Sequence, residues 1–74
     1  MTLLQGRIGQ TYYVKGISLK HDVEIRLQAL GLTLGTKIIV LNNKRNGSVI
    51  FRVRGTRLAI GNEIAKAIAI GEEE

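Results

Sequence analysis

The chain has 74 residues with no cysteine and no proline, so it has neither disulfides nor thiolate metal sites. A domain this small buries only about 60% of its unfolded surface, and it needs a well-packed core or self-association to hold together. The start MTLLQGRIG carries no basic stretch leading into an apolar run, and no run of about 18 apolar residues occurs anywhere; a soluble, cytoplasmic protein is expected. Three of the six acidic residues are Glu72, Glu73 and Glu74. The remaining body sets eleven basic residues against three acidic ones, a net of +8, which favours an acidic partner: nucleic acid, an anionic membrane face or an acidic protein surface.

QTYYVKGI, residues 10–17, is rich in β-branched and aromatic residues between Gly9 and Gly16 and reads as a first strand. Val23, Leu27 and Leu30 then repeat at helical spacing. Ser18 is the candidate N-cap, and Asp22 and Glu24 lie near the positive end of the helix dipole, so one short helix is expected to end at Leu30. Gly31 stands where a left-handed C′ residue belongs, and Gly35 where the chain turns into a strand beginning near Thr36.

The pair Gly31 and Gly35 followed by Thr36-Lys37 superficially suggests a phosphate-binding loop. The spacing G-x-x-x-G-T-K does not fit one, and the order helix, loop, strand aims the negative end of a helix dipole at the loop. Both glycines therefore read as turn residues.

TKIIVLN and SVIFRVR flank NKRNG, whose Asn46-Gly47 pair marks a hairpin. A two-residue turn at Asn46-Gly47 and a four-residue loop over 44–47 are both compatible with it. Either register places Ile38, Val40, Phe51 and Val53 on one face, with Arg52 and Arg54 on the other. Beyond Gly55, RLAI supplies Leu58 and Ile60, NEIAK reads as a single helical turn, and AIAI supplies Ile68 and Ile70. The expected architecture is mainly β: a small curled barrel of about five strands with one short helix after the first strand. Residues 1–70 form one domain, and 71–74 an acidic tail.

Catalytic chemistry finds no footing. His21 beside Asp22 and Glu24 reads as the polar first turn of an exposed helix, since a metal site needs three or four convergent ligands. No carboxylate pair and no nucleophile with a base is evident, so neither an enzyme nor a cofactor is expected. Of the three aromatic residues, Phe51 belongs to the buried pattern and only one of Tyr12 and Tyr13 can face outward, a thin platform for stacking bases. The outer face of the hairpin is more informative. Ile39, Leu41 and Ile50 share it with Arg52 and Arg54, while Lys44 and Arg45 stand at the tip. Either the helix covers this stripe or it is a partner surface whose arginines select an acidic protein.

RLQALGL followed by GTKIIV, then RVRG and RLAIGNEIAKAIAI, resembles the FeoA family of small cytoplasmic proteins associated with ferrous iron uptake. The match runs from about Leu4 to Ile70. Its most specific part is Arg26-Leu27, Leu30-Gly31-Leu32 and Gly35-Thr36, with Gly55, Leu58, Ala59, Ala65 and Ile68 continuing at the family's spacing. Leu34, Thr56 and Ile60-Gly61 depart from the family pattern, in turns or near strand ends.

The resemblance implies an SH3-like barrel, no catalytic residue, and an accessory role beside FeoB, a membrane permease with a cytoplasmic GTPase domain. The chain is then expected in the cytoplasm, recruited to the inner face of the membrane without inserting into it. It also implies kinship with the C-terminal module of metal-dependent repressors, although a free-standing adaptor is the simpler account of this chain. The competing expectations are a small nucleic-acid-binding barrel using the same basic face, and a homo-oligomer formed by pairing of exposed strand edges.

Overall fold

The buried face of the hairpin is realised as read. In the computed structural model, which describes residues 1–44 and 47–74, β2 (Lys37–Asn43) pairs antiparallel with β3 (Ser48–Val53). Ile38 stands opposite Val53 and Val40 opposite Phe51, and all four are fully buried. β2 ends at Asn43 and β3 begins at Ser48; the two turn registers expected between them fall on Arg45 and Asn46, which lie outside the described residues.

The remaining elements are β1 (Thr11–Ile17), α1 (His21–Ala29), β4 (Thr56–Gly61), α2 (Asn62–Ala65) and β5 (Ile68–Gly71), with a 3-10 turn over Leu3–Gln5 ahead of them. Every pairing is antiparallel and the sheet runs β4-β3-β2-β1-β5. This is the SH3-like arrangement with a helix after the first strand. No ladder joins β4 to β5, so the sheet is curled but not closed, and α2 makes the turn between these two edges. The N-terminal segment covers β5: Thr2 bridges Ala69, and the Ile70 N–H donates to the Met1 carbonyl at 2.9 Å.

Inside the curl lie Leu3, Tyr12, Val14, Phe51, Ile68 and the other apolar side chains of the strands, with no buried charged residue among those described. Leu27 and Leu32 join them from the helix and the loop after it. The end of α1 explains how. Leu30 is the C-cap and Gly31 takes φ +100°; the Gly31 N–H donates to the Gln28 carbonyl at 2.9 Å and the Leu32 N–H to the Leu27 carbonyl at 3.0 Å. Those two bonds are the pair that defines a Schellman motif, and Leu27 and Leu32, the residues the longer bond joins, both belong to the core cluster.

Two expectations about this helix are corrected. It starts at His21 with Lys20 at the N-cap position and no capping side chain, so Ser18 lies too early to cap it. Leu30 is half exposed instead of facing the core, because the left-handed turn at Gly31 carries Leu32 inward in its place.

β2 also departs from strict alternation. Its register with β3 shifts between Val40 and Asn42, so Leu41 sits in a bulge and the following residues exchange faces. Asn43, opposite the buried Val49, therefore turns inward. Its Nδ2 donates to the carbonyls of Leu4 at 2.8 Å and Gly6 at 2.9 Å, adding a side-chain tie between the N-terminal segment and the sheet.

Candidate docking surface

Four strands contribute one residue each to a row across the outer face of the sheet: Thr11 opposite Ile39, Ile39 opposite Arg52, and Arg52 opposite Arg57. The neighbouring rows hold Tyr13 opposite Lys37 on one side and Ile50 opposite Ala59 on the other. Lys37, Arg52 and Arg57 are exposed; Ile39, Leu41 and Ile50 are half-buried and stand outside the core cluster. Two guanidinium groups thus face each other across adjacent strands, an arrangement that is destabilising unless an anion answers it.

Nothing on these strands does. β2, β3 and β4 contain no acidic residue. Asp22 pairs with Arg26 at 3.5 Å, Glu63 with Lys66 at 2.8 Å, and Glu24 accepts from Gln28 at 3.3 Å. These acids belong to the two helices, and His21 is an exposed residue at the start of α1. Among the described residues no three potential ligands converge as a metal centre would require.

Leu27, the one buried residue of α1, goes to the core, whereas Ile39, Leu41 and Ile50 stand outside that cluster. Of the residues expected on this surface, Ile39 and Arg52 lie together on it. Lys44 is exposed just beyond β2, and Arg45 falls outside the described residues. Leu41 is displaced into the bulge.

Arg54 is a correction: it is a turn residue and not the last outward position of a strand. Arg54 at φ 51° and Gly55 at φ 79° form the two-residue connection between β3 and β4. A positive φ at both central positions matches the right-handed twist of the strands, and it is a conformation that disfavours any residue with a Cβ. The Arg54 stem runs over Gly31, where a Cβ would stand 3.1 Å from its Cδ. The end of α1 thereby meets the β3–β4 turn.

The sequence reading missed Arg57, because its partnership with Arg52 depends on the length of the turn at 54–55. It also missed the exposed apolar residues of the helix and the loop after it, Ile25, Leu30 and Leu34, which are 49%, 51% and 69% exposed. Gly31 takes the left-handed conformation and Gly35 the turn expected of them, Gly55 also has a positive φ, and Ala65 and Leu27 are buried, with Leu58 partly so. Of the two tyrosines, Tyr12 is the buried one, and its hydroxyl accepts from the Arg7 N–H at 2.9 Å. Tyr13 alone is left on the outer face as a surface for stacking.

Comparison with known proteins gives a consistent result. The model of the FeoA domain matches residues 1–71. A Methanocaldococcus jannaschii protein provisionally named Fe(2+) transport protein A is 33% identical over 66 residues, which cover 89% of this chain and 79% of that one. A crystal structure of an iron uptake regulatory protein, FeoA, superimposes with a TM-score of 0.86 at 31% identity, covering 95% of this chain and 93% of the other. A manganese-dependent transcriptional repressor superimposes with a TM-score of 0.82 at 23% identity, over 92% of this chain but 39% of the repressor, a likeness of fold. No helix among the described residues is long and apolar enough to cross a membrane.

Proposed function

This chain belongs to the FeoA family, whose connection is with ferrous iron transport, and on that basis we propose that it is a non-enzymatic adaptor that docks on the cytoplasmic, GTPase-containing part of the FeoB permease. The docking surface is the outer face of β2, β3 and β4, with Arg52, Arg57 and Lys37 as its cations, Arg54 in the turn at its margin, and Ile39 and Ile50 as its apolar floor. One observation carries the reading: Lys37, Arg52 and Arg57 meet no carboxylate on their own strands, and the aliphatic residues Ile39 and Ile50 beside them lie outside the core cluster. Long-range attraction from such a face raises the rate of encounter with an acidic surface, while the aliphatic floor supplies apolar contact once docked. Binding of this kind recruits the protein to the inner face of the membrane without inserting it.

Calorimetric titration into the purified cytoplasmic domain of the permease, at two salt concentrations and with GDP or a non-hydrolysable GTP analogue, tests the proposal. Saturable binding that weakens with salt and is lost in the double variant Arg52→Glu, Lys37→Glu is the expected result. Unchanged binding by that variant removes this face. Binding to oligonucleotide, and not to the domain, replaces the adaptor reading with a nucleic-acid one.

A further inference from the structure

The two edges of the open sheet are not equivalent. The β5 edge is covered by Met1 and Thr2, which bond to Ile70 and bridge Ala69. The β4 edge carries nothing: no hydrogen bond among the described residues reaches its outer side, and Thr56, Arg57, Ala59 and Gly61 are exposed. A two-residue turn makes Val53 and Thr56 a hydrogen-bonded pair, and the antiparallel alternation then directs the N–H and C=O groups of Arg57 and Ala59 away from β3. β4 therefore offers a row of unpaired backbone groups with Arg57 standing over it and Arg52 one strand behind.

Charged side chains on an edge strand guard against indiscriminate pairing. Here the guard has one sign only. A second copy approaching through the same edge would bring its own arginines against these, and like charges set opposite one another repel. An acidic strand is attracted by the same residues. On the inner side, Leu58 is only partly buried and Ile60 lies at the rim of the core, so the inward positions of an added strand would continue the apolar layer.

We propose that the free edge of β4 takes up an extended acidic segment of a protein partner as a sixth strand, one that alternates carboxylate side chains on the outer face with aliphatic side chains on the inner face. The backbone groups of Arg57 and Ala59 supply the hydrogen bonds, Arg57 and Arg52 meet the carboxylates, and Leu58 and Ile60 receive the aliphatic residues. This deepens the adaptor reading and rests on it only in assuming that the surface meets a protein.

The test uses the full chain and a blocked peptide of alternating glutamate and valine, followed by amide NMR. The expected result is a saturable shift of the Arg57 and Ala59 amides with slowed exchange at both, and binding at least tenfold weaker when alternate peptide nitrogens are methylated. Arg57→Gln should lower affinity by up to about 5-fold, the upper range for one exposed ion pair. Arg57→Glu should reverse the preference towards a peptide of alternating lysine and valine.

Equal binding of the methylated peptide, shifts confined to β1 and β2, or no binding at all would each overturn the proposal. So would a thymidine oligonucleotide that shifts these amides when the peptide does not. The permease domain is absent from this assay, so failure here leaves docking on the outer face to the calorimetry, and failure of the calorimetry leaves strand addition standing.

Discussion

Replacing Gly31 by alanine tests the link between the helix end and the β3–β4 turn. Gly31 sits at φ +100°, where an L-residue is strained by about 1–2 kcal/mol. A Cβ there would also stand 3.1 Å from Arg54 Cδ, but that atom belongs to a flexible side chain and can give way. The backbone term therefore dominates, and the contact adds a few tenths of a kcal/mol. For a domain whose urea dependence is about 1 kcal/mol per molar, Gly31→Ala should lower the unfolding midpoint by about 1–2 M, followed by far-UV circular dichroism. A double-mutant cycle with Arg54→Ala separates the two terms: the coupling energy should be only about 0.3–0.5 kcal/mol, because removing Arg54 relieves the contact and not the backbone strain. A midpoint within about 0.3 M of the parent protein would refute the reasoning, since it would mean that this helix end needs no left-handed residue.

Three further outcomes are expected. Asn43→Ala leaves the Leu4 and Gly6 carbonyls without their donor and should cost about 1–3 kcal/mol; Asn43→Asp should cost more, because it sets a charge against two carbonyl oxygens, and in both variants faster amide exchange in the N-terminal segment should accompany the loss in denaturant titrations. Phe51→Ala empties the centre of the core at about 3–5 kcal/mol, comparable with the total stability of a domain this size, so the variant should be largely unfolded at 37 °C by near-UV circular dichroism. Arg54→Asn keeps the turn and eases its positive φ, and should raise the melting temperature by a few degrees at about 0.5 kcal/mol while weakening docking.

The features that were legible beforehand are those that short-range physics imposes. Ile38, Val40, Phe51 and Val53 announce their shared face because side chains alternate along any strand, and Gly31 announces the helix end because few other residues accept its backbone. The turn at Gly35 was legible from the order of helix, loop and strand. These are properties of a residue and its near neighbours in the chain.

Other features depended on which strand lies beside which. The bulge at Leu41 slips β2 by one residue and so turns Asn43 inward; nothing in LNN distinguishes the asparagine that will hold the N-terminal segment from the one beside it. Leu30 fits the helical period and is nonetheless exposed, because Leu32 fills the core once the chain has turned at Gly31. Arg57 becomes a neighbour of Arg52 only through the register of β3 on β4. The sequence by itself determined the elements, their order and the excess of positive charge, since these follow from local periodicity and composition. Tertiary structure decided which charges gather on one face and which sheet edge stays open, since both are set by pairings between residues far apart in the chain.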